Sequence, residues 1–285
     1  MLTQEQIDFY HEYGYLSVEN VLSEDEVAKL QLVTDEFVEK SRAITEHTSE
    51  FDLEPGHTPD KPRLRRLKSP ILLHDLYRQL LHHENILAHV SQLIGYGLRT
   101  NGNKLNMKQP GYGSPVEWHQ DWAFYPHTND DLLAVGVVID DMTEENGPLL
   151  VIPGSHKGPI YDHNLDGHFC GAVTDPTFSD KTAVSVMVKA RGITLHHVRM
   201  LHGSMVNTSD HPRRLLLFQY CAIDAFPLSG LNDWDSFNET IVRGEPTNIP
   251  RIEPVPVRMP YPSALRTGSI YESQTVLKES NFGKR

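Results

Sequence analysis

Between about residues 98 and 225, the sequence breaks into short apolar segments separated by glycine, proline and asparagine. The segments are rich in Val, Ile, Leu and Thr, and the clearest of them cover residues 132–139, 149–152, 183–188, 192–197 and 215–222. Many short strands with turn signals between them are typical of an all-β sandwich or barrel. We therefore predict a mainly β fold built around this stretch.

Helical patterns precede the β region, and a proline-rich tail follows it. Residues 4–13 place apolar side chains near helical spacing before Gly14, and the run Ser23-Glu24-Asp25-Glu26 matches a capping box at the start of a second helix. A further helical stretch covers about 71–94. We predict one domain over residues 1–285, with N-terminal helices over about 1–95, a β core over about 96–225 and a proline-rich tail over about 244–285.

The segment from about residue 41 to residue 70 is polar and carries four prolines. Such a composition predicts a long surface loop or lid. The segment ends in a basic cluster that contains Lys61, Arg63, Arg65, Arg66 and Lys68. On a surface loop, these charges would be solvated.

Charge and hydropathy exclude several classes of protein. The formal charge is −12, from 26 Lys and Arg against 38 Asp and Glu, so the chain does not offer the basic face that a general nucleic-acid binder needs. The longest apolar run, residues 132–139, is far shorter than the ~20 residues that span a bilayer. The first residues show no secretory signal and the chain has only two cysteines, so we expect a cytoplasmic protein.

Sixteen histidines raise the question of a metal site. A non-haem Fe(II) oxygenase uses two His and one carboxylate on one face of the metal. Residues i and i+2 point the same way on a strand but not on a helix, so a strand is the context in which His-x-Asp supplies two ligands. The sequence holds two matches to His-x-Asp/Glu, about as many as chance predicts: His82 to Glu84 in a helical stretch, and His119 to Asp121 in the β region. Of the two matches, only His119 and Asp121 lie in the strand context in which such a pair can supply two metal ligands.

A third ligand is expected from a distant strand of the same barrel, and the segment 192–204 offers His196, His197 and His202. Arg213 and Arg214 follow at the start of an apolar strand. An arginine at the inner mouth of a barrel needs an anion to bind, whereas arginines that flank a strand as solvated gatekeepers need none. Both interpretations of Arg213 are open at this point.

The motifs of the chain occur in one order, which is His119-Gln120-Asp121, Glu145-Asn146-Gly147-Pro148-Leu149, Pro153-Gly154-Ser155-His156, His202-Gly203-Ser204 and Arg213. Together with the N-terminal run Phe9-Tyr10-His11-Glu12-Tyr13-Gly14-Tyr15, this order and spacing resemble the phytanoyl-CoA dioxygenase family of Fe(II)/2-oxoglutarate oxygenases. The likeness covers roughly residues 5–225. The motifs are specific as a set and weak one by one.

The resemblance implies a double-stranded β-helix (jelly-roll) core wrapped by N-terminal helices. It also implies an iron triad, formed by His119, Asp121 and His202. Arg213 would pair with the distal carboxylate of 2-oxoglutarate, a task that suits the bidentate geometry of a guanidinium. Ser204 would add a hydroxyl to the same carboxylate or its neighbour.

Further positions bear on the cosubstrate. The family places a Lys or Arg near the cofactor, and Arg66 is the best match to it here. Lys104, Asn106 and Lys108 alternate on one face of a strand, which points either into the barrel toward the cosubstrate or outward to solvent. Many relatives carry a large residue where this chain has Gly136, so we expect a roomier cavity or a repositioned cosubstrate contact.

The resemblance implies a hydroxylase with Fe(II) as cofactor, 2-oxoglutarate and O2 as cosubstrates, succinate and CO2 as products, and ascorbate as the reductant in vitro. Asp121 stands where related halogenases lack a carboxylate, so we expect hydroxylation or desaturation of an unactivated C–H bond in a small organic molecule. The substrate classes left open are acyl-CoA, amino acid, carboxylate and secondary metabolite, and the oligomeric state is also open. Two alternatives remain: a cupin-type metal-dependent isomerase or hydrolase without 2-oxoglutarate, and a non-catalytic β-barrel binding module.

Overall fold

The computed structural model of the chain describes residues 1–111, 113–258, 264, 266 and 268–282. Its helices are α1 (Gln4–Tyr13), α2 (Glu24–Lys40), α3 (Pro70–Leu73), α4 (Asp75–Leu81), α5 (Glu84–Ile94), α6 (Trp234–Asn238) and α7 (Ile270–Ser273). Its strands are β1 (Tyr15–Val18), β2 (Phe51–Leu53), β3 (Leu64–Lys68), β4 (Leu98–Lys108), β5 (Val116–His119), β6 (Leu132–Val138), β7 (Leu149–Val151), β8 (Asn164–Leu165), β9 (His168–Phe169), β10 (Val184–Val186), β11 (Ile193–His197), β12 (His202–Ser204), β13 (Arg213–Ala222) and β14 (Ile241–Arg243).

Two antiparallel sheets enclose the interior of the β core. The larger sheet has the strand order β1-β11-β6-β13-β4-β3-β2, with β14 also beside β4, and the smaller sheet has the order β10-β7-β12-β5. Val138, Leu215 and Leu217 of the larger sheet share one buried cluster with Leu149 and Val151 of the smaller sheet. The sheets therefore pack face to face, and the predicted mainly β, jelly-roll fold is confirmed.

Helices cover the outer face of the larger sheet. Leu30 of α2 and Ile86 of α5 belong to the same buried cluster as Leu216 and Phe218 of β13. The residues that alternate with these two on β13 point to the other side, into the interior between the sheets, so β13 is buried on both faces. The predicted wrapping of the core by N-terminal helices is confirmed. None of the helices in the described part of the chain is both long enough and apolar enough to span a bilayer.

The predicted capping box of α2 and the predicted glycine stop of α1 are both present. The Ser23 hydroxyl accepts a hydrogen bond from the backbone N–H of Glu26, and the Glu26 carboxylate accepts one from the backbone N–H of Ser23 at 2.8 Å. Helix α1 ends at Gly14, which has φ +80°, and a Cβ there would lie 2.3 Å from Nδ1 of His156. Only glycine fits this turn, which leads from α1 directly into β1.

The helical stretch predicted over about 71–94 is divided into three helices. Helix α4 begins after His74, whose Nδ1 accepts the N–H of Leu76. The α4 helix ends before His82, while Glu84 opens α5 and pairs with Arg243 at 2.5 Å. His82 and Glu84 therefore lie in different elements and do not share a face, as expected of a chance match.

The prediction of a loop over about 41–70 is wrong in part, because some of these residues form β2 and β3 at the edge of the larger sheet. Phe51 pairs with Leu67 across these strands, and Leu64 and Leu67 are fully buried. Charged residues between them obscured the strand pattern. Two of these, Asp52 and Arg65, are buried as a 2.7 Å ion pair, and pairing is what makes buried charges tolerable.

Candidate metal centre and its cavities

The candidate metal centre lies where β5 and β12 pair in the smaller sheet. His119 and His202 stand opposite each other in the register, with ring centroids 4.0 Å apart. Asp121 follows β5 and opens a short 3-10 turn, Asp121–Ala123. The ligand atoms of all three side chains lie within 4.8 Å of one another, so the group could hold a metal ion. Strand pairing thus brings together residues more than eighty positions apart in sequence.

Hydrogen bonds orient both imidazoles of the centre. The Nδ1 of His119 lies 2.8 Å from the carbonyl oxygen of Glu117, and the Nδ1 of His202 lies 3.0 Å from that of Met200. When Nδ1–H donates to a carbonyl, Nε2 carries the free lone pair that a metal needs. The Nε2 of His119 is 3.9 Å from Oδ1 of Asp121, which leaves room for an ion between them.

Burial sets the charge state of the three side chains. It lowers the pKa of His119 to about 4, and burial together with the neighbouring His119 lowers the pKa of His202 well below its usual value. Burial alone would raise the pKa of Asp121, but His196, Lys104 and His202 together hold that pKa well below its usual value. Two neutral imidazoles and one carboxylate are the donor set of non-haem Fe(II) oxygenases, so the residues present fit iron.

An interior cavity adjoins the centre, and the three side chains form part of its wall. Four of the five residues predicted to contact the cosubstrate also line it: Lys104, Asn106, Ser204 and Arg213. Lys104 and Asn106 therefore point into the barrel, which decides between the two orientations left open by the sequence. The Nζ of Lys108 points inward as well, but it donates to backbone carbonyls of Ser114, at 2.9 Å, and of Met205, so its hydrogen-bonding capacity is used.

Arg213 and Arg214 face opposite sides of β13. The Arg214 guanidinium forms ion pairs of 2.6 Å with Asp35 and with Asp140. Arg213 is buried, its Nε donates to the carbonyl of Gly147 at 3.1 Å, and within the described residues it has no ion pair with a carboxylate. Burial lowers the pKa of Arg213 to about 10. A buried guanidinium of this kind fits a carboxylate ligand, and the gatekeeper interpretation of Arg213 is wrong.

A second cavity, of about 450 Å³, lies beside the first, and Lys104 and Asp121 line both. Arg66 lines this second cavity and is not part of the wall shared by Arg213 and Ser204. The Nε and Nη1 of Arg66 are buried without a hydrogen-bond partner. The structure thus brings the predicted site residues to two adjoining cavities that meet at Lys104 and Asp121.

His196 lies at the centre although the sequence singled it out only as one of three possible third ligands. Its ring centroid is 4.4 Å from that of His202, and its Nε2 is 3.8 Å from Oδ2 of Asp121. Alternation along β11 sends His196 inward and His197 outward, where His197 lies near His156 and accepts the N–H of Arg199. Strand alternation could have identified the inward residue, had the register been known.

The extra space expected beside Gly136 is absent. A Cβ at this position would lie 2.5 Å from Oγ1 of Thr194 and 2.9 Å from Cδ1 of Leu215. Side chains from both neighbouring strands therefore occupy the volume that a larger residue would need. The expectation of a roomier cavity there is wrong, because close packing across β6 compensates for the missing side chain.

Comparison with protein families gives a match over most of the chain. A family model described as phytanoyl-CoA dioxygenase (PhyH) matches residues 10–215. Over 284 residues, the chain is 37% identical to a protein of Stutzerimonas stutzeri named "Probable alpha-ketoglutarate-dependent hypophosphite dioxygenase", and the match covers 98% of this chain and 99% of that protein. Over 255 residues it is 28% identical to the ectoine dioxygenase of Bordetella bronchiseptica, with 81% of this chain and 80% of that protein covered.

Solved structures show the same architecture. The carbocyclase SnoK from nogalamycin biosynthesis, described as non-heme and alpha ketoglutarate dependent, matches with a TM-score of 0.65 and 26% identity. The match covers 87% of this chain and 94% of that chain. The similarity thus extends beyond the β core into the flanking segments.

Proposed function

The chain belongs to the phytanoyl-CoA dioxygenase family, and on this premise we propose that His119, Asp121 and His202 are the iron ligands of its active site. It is an Fe(II)- and 2-oxoglutarate-dependent dioxygenase, as its named relatives are. The residues alone left two alternatives open, a cupin-type isomerase or hydrolase without 2-oxoglutarate and a non-catalytic barrel. Neither alternative accounts for the combination of this centre with Arg213, or for the family relationship.

The cosubstrate is assigned to the interior cavity beside the centre. Arg213 binds the distal carboxylate of 2-oxoglutarate, with Ser204 and Asn106 beside it, and Lys104 lies where this cavity adjoins the second one. The support for this assignment is the buried guanidinium of Arg213, which has no carboxylate partner among the described residues. Groups of this kind are costly unless a ligand satisfies them.

When bound, iron and 2-oxoglutarate supply an oxidative decarboxylation that yields succinate and CO2 and transfers one atom of O2 to the substrate. The chain contributes the positioning. Glu117 and Met200 hold the two imidazoles through their carbonyls. Burial keeps both rings neutral, whereas His196, Lys104 and His202 keep Asp121 ionised against the effect of burial. Burial of the site also excludes water from the reacting groups, which strengthens every electrostatic contact within it.

We propose hypophosphite as the primary substrate. The single observation that carries this is the 37% identity to the hypophosphite dioxygenase relative over nearly the whole of both chains. Insertion of one oxygen atom into a P–H bond gives the balanced reaction of hypophosphite, 2-oxoglutarate and O2 to phosphite, succinate, CO2 and one proton. The cationic side chains that line the second cavity suit an anionic substrate.

The test is a coupled assay in which the purified chain is given Fe(II), ascorbate, 2-oxoglutarate, O2 and hypophosphite. We expect phosphite, measured by phosphorus NMR, and succinate to form in equal amounts. A reaction with a metal chelator is the control and forms neither product. Succinate formation that is equally slow with and without hypophosphite, with no phosphite, would overturn the proposal.

A second candidate is hydroxylation of a C–H bond in a small organic acid or amino acid. The observation that favours it is the size of the second cavity, about 450 Å³, which is far more than hypophosphite fills. Phe124, Tyr125 and Phe169 supply apolar surface to that cavity. A panel of carboxylic acids and amino acids in the same assay, read by succinate release and mass spectrometry, separates the two candidates.

We also place the protein in the cytoplasm, with small molecules as its ligands and neither a membrane nor nucleic acid as a partner. The support is the acidic charge of −12 and the two cysteines, Cys170 and Cys221, which are free and buried. Fractionation of cells that express the chain tests this placement, since recovery with the periplasmic or membrane fraction would contradict it.

A further inference from the structure

We infer that Lys104, Arg66 and His196 form a binding site for the negative charge and oxygen atoms of the primary substrate, next to Asp121. We call these three side chains the anion site. The inference rests on the proposed function, because it takes iron at the centre and 2-oxoglutarate at Arg213. It goes further by assigning a substrate contact to His196 and by separating the ligands of Arg66 and Lys104 from the ligand of Arg213.

Charge balance leaves the anion site in need of an anion. The two positive charges of Fe(II) and that of Arg213 balance Asp121 and the two carboxylates of 2-oxoglutarate. Of the other buried cations nearby, Arg65 and Arg214 are paired with Asp52 and Asp140, and Lys108 donates to backbone carbonyls. Lys104 and Arg66 are therefore positive charges in excess, and excess charge beside a buried site is tolerated when a ligand neutralises it.

Lys104 and Arg66 have no other partner in the described structure. Neither side chain forms a hydrogen bond or ion pair with a described residue, and the Nε and Nη1 of Arg66 are buried without a partner. Both line the second cavity, in which Asp121 is the one carboxylate among the described residues. Lys104 also lines the inner cavity, so it stands where a substrate from the second cavity would reach the centre.

His196 supplies hydrogen bonding beside Lys104 and Asp121, with which it lines the inner cavity. Its side chain is 2% exposed, and both ring nitrogens are buried without a hydrogen-bond partner. The 3.8 Å between its Nε2 and Oδ2 of Asp121 is too long for a hydrogen bond. Strand pairing with Tyr15 on one side and Ala134 on the other holds its backbone, and the small Ala134 leaves the ring open to the inner cavity. A ring N–H at this position can donate to an oxygen of the substrate.

Calorimetry under anaerobic conditions tests the cations of the site. The chain loaded with Fe(II) and 2-oxoglutarate is titrated with sodium hypophosphite, and the Kd for 2-oxoglutarate is measured separately. We expect Lys104→Met to raise the Kd for hypophosphite at least about tenfold and to change the Kd for 2-oxoglutarate less than about twofold. A rise confined to the Kd for 2-oxoglutarate would overturn the inference and assign Lys104 to the cosubstrate.

Lys68→Met is the matched control. Lys68 pairs with Lys104 across β3 and β4, so the variant removes the same charge from the neighbouring strand. Its Nζ donates to the carbonyl of Thr48 at 2.9 Å and does not line either cavity. We expect both dissociation constants to stay unchanged in this variant. A loss of hypophosphite binding equal to that of Lys104→Met would show that general charge, rather than the anion site, attracts the substrate.

Two substitutions test His196. His196→Phe keeps a ring and removes both nitrogens, whereas His196→Gln retains an N–H donor. We expect the Kd for hypophosphite to rise several-fold in the Phe variant and to recover in part in the Gln variant, with Fe(II) affinity preserved in both. A fall in Fe(II) affinity that matches the loss of hypophosphite binding would overturn the substrate contact, because it would make His196 a positioning residue for Asp121.

The same measurements separate the inference from the proposed function. If the wild-type chain binds hypophosphite and Lys104→Met does not, but no phosphite forms, the site stands and the proposed function fails. If phosphite forms and the KM for hypophosphite is the same in Lys104→Met, the function stands and the site fails. If hypophosphite, formate and acetate all fail to bind to the wild-type chain, the anion site is overturned.

Discussion

At the scale of single residues, Arg213 and Arg214 show how one step along a strand changes the role of a side chain. Arg214 is tied to Asp35 and Asp140 on the outer face, while Arg213 has a single backbone acceptor, Gly147, and an open cavity in front of it. A buried cation with its carboxylates stabilises the fold only as a pair, whereas one without them stabilises a ligand.

Substituting the two arginines should therefore have opposite effects. We expect Arg213→Gln to raise the Kd for 2-oxoglutarate by about two orders of magnitude with little loss of stability, because a charged pair with the cosubstrate is lost. We expect Arg214→Gln to lower the free energy of unfolding by about 3 kcal/mol, since it leaves the largely buried Asp140 without its partner, and to retain cosubstrate affinity. Calorimetry and urea unfolding measure the two quantities. The reverse pattern would contradict the assignment.

Asp121 tests the centre directly. We expect Asp121→Ala to abolish Fe(II) binding and 2-oxoglutarate turnover, because the only carboxylate of the three-residue group is removed. The variant should stay folded, as judged by circular dichroism, since the side chain supports a metal rather than a buried packing contact. His202→Ala should behave in the same way. Turnover of 2-oxoglutarate in either variant would exclude the proposed ligands.

At the scale of elements, β2 and β3 extend the larger sheet over a stretch that looked like loop. Strand β3 pairs with β4, which carries Lys104 and Asn106 on its inner face, so this edge supports the strand that lines both cavities. Leu64 and Leu67 anchor the edge in the same buried cluster as helices α2 and α5. The two strands are thus a structural element rather than a mobile lid.

A core substitution in β3 tests this. We expect Leu67→Ala to lower the free energy of unfolding by about 2–5 kcal/mol, because it opens a cavity at a fully buried position. The exposed Leu72 offers a control, since Leu72→Ala should change stability by less than about 0.5 kcal/mol. Chemical unfolding measures both. Equal, small effects would mean that β2 and β3 contribute little to the sheet.

At the scale of the whole molecule, the helices and the β core share one buried cluster, which supports the prediction of a single domain. The three tryptophans, Trp118, Trp122 and Trp234, all lie outside the N-terminal helices, while those helices dominate the helical signal in circular dichroism. The two probes therefore report on different parts of the chain.

Unfolding followed by both probes should give one coincident transition. Saturation with Fe(II) and 2-oxoglutarate, each at about 100 times its Kd, should stabilise the folded chain by about 2.7 kcal/mol for each ligand, and a chelator should reverse the metal's share. Separate transitions would divide the chain into independently folding units. A Tm that is the same with and without the two ligands would contradict binding at the buried centre.

Local patterns in the sequence were enough for the fold class, the caps of the first helices, and the choice of His119 and Asp121 over His82 and Glu84. Each of these depends on the period of a strand or helix, or on a hydrogen bond within a few residues. The family resemblance added His202 and Arg213 through their order and spacing. The strands β2 and β3 were missed because charged residues interrupt their apolar pattern, and the sequence does not show that two of these, Asp52 and Arg65, are buried as a pair.

Only the tertiary structure decided how the side chains meet. In the structure, His196 points inward and His197 outward. Side chains of Thr194 and Leu215 fill the space beside Gly136. Arg66 and Arg213 line different cavities. These outcomes depend on strand register and on packing between residues far apart in the chain. A sequence states which side chains are available, but the distances among them, and hence the charges that remain unpaired beside the metal centre, exist only once the sheets have closed on each other.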